Sequence, residues 1–131
     1  MKKPIKVVRA YRIVEIRENK PYTLFHALPS SVKRSRQIPT DTWLRAENKM
    51  VTDGSSQSQY LSGFNVLKNL ENMTEYTRRF TRPRDLRIIE ILVRDPLRSK
   101  SHSRSGVCLS DWMYVPSQWQ KTSIKVKIHN N

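Results

Sequence analysis

Leu86-Arg87-Ile88-Ile89-Glu90-Ile91-Leu92-Val93 is the stretch on which the fold turns. It has the length of a strand and falls short of a helix. Apolar side chains occupy both faces, broken only by Arg87 and Glu90, as in a strand at the centre of a sheet. Pro96 ends it. Upstream, the periodicity changes. Leu70, Met73, Tyr76 or Thr77, and Phe80 recur at three-to-four spacing, with Asn69 in place as an N-cap. Glu71 and Glu75 come early and Arg78 and Arg79 late, which suits the helix dipole, and Glu75 with Arg79 makes an i,i+4 pair. The spacing predicts a helix over about 69–81, stopped by Pro83.

Further out, the chain reads as strands separated by polar punctuation. Residues 5–16 carry Val7, Tyr11, Ile13 and Val14, a strand or a bent pair of strands. Residues 17–21 end in Pro21 and read as a turn, and residues 22–28 as the other arm of a hairpin. A short element around residues 43–46 is compatible with one helical turn capped by Thr40 or Asp41. Residues 62–67 give a third strand, and residues 107–109 and 112–115 further ones. Residues 122–128 alternate Ile124, Val126 and Ile128 with Lys125 and Lys127, a half-exposed strand with a basic outer face. The expected fold is α+β: a mostly antiparallel, strand-rich single domain over residues 1–131, with one firm helix packed on the sheet. Residues 29–40, 53–60 and 95–106 are expected as surface loops.

At 131 residues, halves would be too small to bury useful cores, so one domain is expected. No apolar run approaches the roughly 18 residues of a membrane span, and the basic N-terminus lacks the apolar stretch of a secretory signal. A single cysteine, Cys108, excludes an intrachain disulfide framework and fits a reducing cytoplasm. Net charge is the outlying property: 25 basic residues against 11 acidic give +14. Self-repulsion of that size opposes compaction, and is usually retained for solubility or for binding something acidic. The charge is also clustered. Residues 78–104 carry a net +6, against +8 for the other 104 residues, and arginine outnumbers lysine there eight to one. The planar guanidinium fork suits phosphate oxygens better than an ammonium does. A charge run of this kind is also what a solvated surface looks like.

Catalytic and metal patterns are absent from the sequence. His26, His102 and His129 lie far apart, with no ligand spacing to Cys108 or a carboxylate, so no metal site is expected. Cys108, between Val107 and Leu109, reads as a small buried hydrophobe. No glycine-rich phosphate loop is present. The segment Arg98-Ser99-Lys100-Ser101-His102-Ser103-Arg104-Ser105 alternates cations with hydroxyls and could meet a phosphate backbone or simply be solvated. Trp43, Trp112, Trp119, Tyr60 and Tyr114 could offer stacking platforms. Most of these read as core or rim. Trp119, between Gln118 and Gln120, is the one expected to be exposed.

Leu24-Phe25-His26-Ala27 resembles the strand of ADP-ribosyltransferases that carries the nicotinamide-pocket histidine. Ser62-Gly63-Phe64-Asn65-Val66 and the segment after it resemble that family's Gly-Phe-Tyr strand and following helix, and residues 86–93 and 107–116 its later strands. The order Leu-Phe-His, Ser-Gly-Phe and Arg-x-Lys-x-His-Ser-Arg is also similar to that of small bacteriophage proteins of uncharacterised role. The transferase likeness implies an NAD pocket at His26, Phe64 and Asn65. The chain departs from it where Ala27 and Leu28 replace glycine and threonine, and where Asn65 takes the tyrosine position. The catalytic glutamate would fall near Ser105 or Gly106. Without a carboxylate to stabilise developing positive charge, the likeness implies an architecture more than an activity.

The expected function is that of a non-catalytic basic protein, phage-encoded and acting in the host cytoplasm, without a cofactor. Its partner would be DNA, RNA or a ribonucleoprotein. Arg78, Arg79, Arg82, Arg84, Arg98, Lys100 and Arg104 are the expected phosphate contacts. The alternatives are an ADP-ribosyltransferase-like NAD-binding enzyme, and a virion or host-factor interaction protein whose basic face meets an acidic host or phage protein.

Overall fold

The computed structural model describes residues 6–23, 37–52, 59–71, 77, 85–99 and 107–126. They form eleven strands: β1 (Val7–Arg17), β2 (Lys20–Tyr22), β3 (Trp43–Arg45), β4 (Met50–Thr52), β5 (Gln59–Leu61), β6 (Phe64–Leu67), β7 (Leu86–Arg94), β8 (Arg98–Ser99), β9 (Val107–Ser110), β10 (Trp112–Tyr114) and β11 (Ile124–Lys125). One 3-10 turn, Trp119–Thr122, precedes β11. All named pairings are antiparallel. Nine strands form one sheet in the order β3-β10-β7-β1-β6-β9-β8, with β2 added to β1 and β11 to β7, while β4 and β5 make a separate hairpin.

The frame is the β1–β7 pair, in register over nine positions from Val7 opposite Arg94 to Glu15 opposite Leu86. Both strands are rich in valine and isoleucine, whose branched side chains pack well on a pleated surface. β6 borders the other side of β1, through Tyr11 opposite Leu67, and β9 borders β6. β10 borders β7 through Met113 opposite Val93. Only Asp111 separates β9 from β10, so the pairing path returns on itself: β7, β1, β6, β9, then through the bend at Asp111 to β10 and back to β7. That bend also breaks the two-residue alternation. Val66 and Phe64 oppose Cys108 and Ser110 on the first core's side of the sheet. Met113 also belongs to that core, where unbroken alternation would have put Trp112. One extra residue in the alternation is the signature of a bulge.

The first core fills one face of the ring: Ala10, Val14, Phe64, Val66, Ile89, Ile91, Val93, Met113 and Val115, joined by Trp119. On the opposite face a second cluster, Ile13, Leu67, Leu86, Ile88, Val107 and Val126, covers only one end. Along β7, therefore, Leu86 and Ile88 are buried on this second face, while Glu90, Leu92 and Arg94 stay part-exposed.

Three expectations are corrected. In place of the firm helix packed on the sheet, the described residues form an antiparallel sheet with no α-helical element. Residues 69–71 are bend and turn, and Asn69 Oδ1 accepts the Glu71 N–H locally at 3.0 Å. Most of the remainder lies outside the described residues; of it Thr77 alone is described, a buried residue of helical type. Asparagine and threonine are poor helix formers, and the segment contains five of them but no alanine, so spacing alone overstated the case. Residues 43–45 are strand rather than a helical turn, because pairing with β10 supplies their backbone partners. Trp119 is buried, 4% exposed, and its polar neighbours mislead because a 3-10 turn sends them outward. Within the stretches expected as loops, β5 takes residues 59–60 and β8 residues 98–99.

The β1–β2 turn is a two-residue hairpin with Glu18 at φ 50° and Asn19 at φ 61°. Positive φ at both central positions is the type I′ geometry that matches strand twist. Asparagine adopts that region at lower cost than glutamate. Glu18→Asn should raise the unfolding free energy by about 0.5–1 kcal/mol in denaturant titration. An unchanged or lower midpoint would contradict this account of the turn.

Candidate functional site

The register places a distinct set of side chains on the end of the second face that no other described element covers. Directly opposed residues share a face. Val7 opposes Arg94 and Arg9 opposes Leu92. Tyr114 opposes both Leu92 and Trp43, and Trp112 opposes Arg45. The open surface thus carries Trp43 and Arg45 from β3, Trp112 and Tyr114 from β10, Leu92 and Arg94 from β7, and Val7 and Arg9 from β1. Val7 is 48% exposed.

The arginines and rings interleave. The Arg94 guanidinium carbon sits 4.3 Å from the Trp43 ring centroid and 4.4 Å from that of Trp112. Arg45 lies 5.4 Å from the same Trp112 centroid. Trp43 and Tyr114 meet at 5.5 Å, tilted by 55°. A cation over an indole face is held by the ring quadrupole, worth about 0.5–1 kcal/mol at an exposed site. A guanidinium held over a ring keeps its N–H donors around its edge. Among the described residues neither Arg45 nor Arg94 meets a carboxylate. Arg9, Arg17, Arg87 and Arg98 each do, with Glu90, Glu15, Asp85 and Asp111.

No protein-family model, curated protein or solved structure matches this chain. The chemistry of the surface must therefore be read from its own residues.

Of the expected phosphate contacts, Arg78, Arg79, Arg82, Arg84, Lys100 and Arg104 lie outside the described residues, as does His26. Arg98 is described, and it works inward. Its Nη1 donates to the Leu61 carbonyl at 2.7 Å, and its Nη2 to the Ser62 carbonyl at 3.0 Å and Asp111 Oδ1 at 2.6 Å. Asn48 Nδ2 donates to the same two acceptors at 2.8 and 3.0 Å. Gly63 makes room for this clamp: a Cβ there would lie 2.8 Å from Arg98 Nη2 and 3.0 Å from the Ser110 carbonyl oxygen. Phe64 is fully buried in the first core, and the Asn65 carbonyl accepts from Arg12 Nη1 at 3.0 Å. Arg12 itself is buried, its guanidinium 5.6 Å from the Phe64 centroid. Of the residues that the resemblance aligned with a nicotinamide pocket, Phe64 packs in the first core and Asn65 offers its carbonyl to Arg12, while His26 lies outside the described residues.

Sequence reasoning undervalued Arg45 and Arg94. The available signal was alternation: Trp-Leu-Arg at 43–45 and Trp-Met-Tyr at 112–114 each place one apolar residue between two side chains of the opposite face. Ser110 Oγ holds the break in alternation, donating to the Trp112 carbonyl at 2.6 Å and accepting its N–H at 3.3 Å.

Asp41 ties the β3 approach to the end of β10. Its Oδ1 accepts the Ser117 N–H at 2.9 Å and faces the Tyr114 hydroxyl at 3.4 Å, while its own N–H donates to the Val115 carbonyl. These donors, the Ser117 N–H first, hold the carboxyl below its usual 3.8. A depressed folded pKa contributes stability that is present above the unfolded value and lost as pH falls through the folded one. Asp41→Asn keeps an acceptor but removes the charge. It should melt below the parent at about pH 7, with the gap closing by about pH 2; an equal gap at both would contradict the assignment. Arg98→Ala should cost about 1–2 kcal/mol by removing three donations, leaving Asn48 alone on Asp111 and the Ser62 carbonyl. A variant as stable as the parent in urea would show the clamp to be dispensable.

Proposed function

We propose that this protein binds nucleic acid, alone or within a ribonucleoprotein, through surface arginines and without a reaction of its own. The observation that carries this reading is the pair Arg45 and Arg94, stacked on tryptophan and without a carboxylate among the described residues. Elsewhere on the described surface arginine charge is locally neutralised; here it is held in place and left for an external anion. The net charge of +14 supplies the long-range attraction. The sequence places Arg78, Arg79, Arg82, Arg84, Lys100 and Arg104 in the same reading, as further phosphate contacts.

Binding to nucleic acid through phosphate contacts releases counterions, so the logarithm of affinity falls linearly with that of salt concentration. Fluorescence anisotropy with labelled oligonucleotides should show this fall between about 50 and 200 mM salt. Arg45→Gln and Arg94→Gln should each reduce the slope by about 0.7–0.9, one phosphate contact apiece. Affinity indifferent to salt would overturn the reading.

A further inference from the structure

We infer that the open end of the second sheet face is a platform for single-stranded nucleic acid, with bases stacking at Trp43, Trp112 and Tyr114 and phosphates held by Arg45 and Arg94. This rests on the proposed function and narrows its ligand. The platform spans four adjacent strands, β3, β10, β7 and β1, at about 4.8 Å per step. A sheet of that width laid flat does not enter a duplex major groove, which admits a helix or a two-stranded ribbon. It can face a duplex only across its phosphates, and then the rings have nothing to meet, because paired bases hide their faces in the helical stack. A single strand presents both base faces and phosphates.

The residue chemistry agrees. Three aromatic rings lie on one open face, and the 55° tilt between Trp43 and Tyr114 keeps them from closing face to face on one another. Arg94 lies between the two indoles, so each has one face turned to a cation. Two acids border the platform among the described residues: Glu90 is engaged by Arg9 at 2.8 Å, and Asp41, beside the Tyr114 hydroxyl, accepts the Ser117 N–H at 2.9 Å. Exposed Val7 extends the apolar ground beside Arg94. Stacking and phosphate contacts do not depend on the sugar 2′-hydroxyl, so DNA and RNA single strands fit alike.

The test uses the full chain and three probes of about 12 units each: oligo-dT, oligo-U and a mixed-sequence duplex. Both single strands should bind at least about tenfold more tightly than the duplex at matched salt. They should also quench tryptophan fluorescence. The chain has three tryptophans, and Trp119 is buried in the first core. The double variant Trp43→Phe with Trp112→Phe keeps rings on the platform, so it should retain binding and lose the quench. Trp112→Ala should weaken single-strand binding by roughly five- to a hundredfold, with duplex binding little changed. If Trp112→Ala does not fold, the phenylalanine pair carries the test alone. Equal affinity for duplex and single strand, or a quench that survives in the phenylalanine pair, overturns the platform while salt-dependent binding leaves the broader function standing. No binding of any probe at low salt overturns both.

Discussion

The contact between Arg98 and Asp111 holds the one place where the ring of strands changes direction. Residues 107–114 serve two neighbours, β6 along the first half and β7 along the second, and Asp111 is the residue between them. Its carboxylate receives Arg98 and Asn48, and its carbonyl accepts the Ala46 N–H at 2.9 Å. The strap after β3, the β5–β6 junction and β8 thus converge on one bend. Ion pairs at a surface usually contribute little, because solvent screens them and side-chain entropy opposes them. This one differs in that both partners are part-buried and the same guanidinium also satisfies two main-chain carbonyls. Removing it takes three donations from the bend at once and leaves Asn48 alone on Asp111 and the Ser62 carbonyl.

The consequence reaches the open face. Were residues 107–114 to alternate without interruption, Trp112 would point into the first core and Met113 outward. The inserted residue exchanges them, so the thioether fills the core and the indole stands outside beside Tyr114. Packing at the bend and the chemistry of the surface are therefore set by the same few atoms. Arg98 carries a positive charge on a basic chain, yet its donors are spent holding the bend, whereas Arg94, four residues earlier, rests on rings. Residue type and local charge density do not separate these roles; the partners each guanidinium finds in the fold do.

That distinction marks how far the sequence could be read. The 86–93 stretch was legible as the central strand because its apolar residues occupy both faces, and the strands at 7–17, 64–67 and 107–114 followed from β-branched content and punctuation. The helix expected at 69–81 rested on spacing, which a few large apolar residues among polar ones can imitate without the propensity to sustain a helix. Trp119 was judged by its glutamine neighbours, and a 3-10 turn reverses that inference by turning them out while the indole turns in. Trp43 was set on a helical turn, so its alternation with Arg45 went unused. Arg45 and Arg94 become a site only when β3, β10 and β7 lie side by side, a juxtaposition of residues 43, 94 and 112 that no local window contains.

An open sheet face bearing two tryptophans, a tyrosine and a valine beside the edge strand β3 would ordinarily invite self-association. The guanidiniums answer that hazard in the unliganded protein. Arg94 covers apolar ring surface on both indoles with a hydrated, charged group, and Arg45 adds a second cation at Trp112. A second copy of the chain would bring like charge to the same place and be repelled. A single-stranded polyanion would bring the opposite charge and flat bases together, so it could satisfy both halves of the surface at once. On the proposed function, the same arginines would discriminate among the partners able to cover the face, disfavouring another basic protein surface and favouring a ligand that supplies phosphate and ring in alternation.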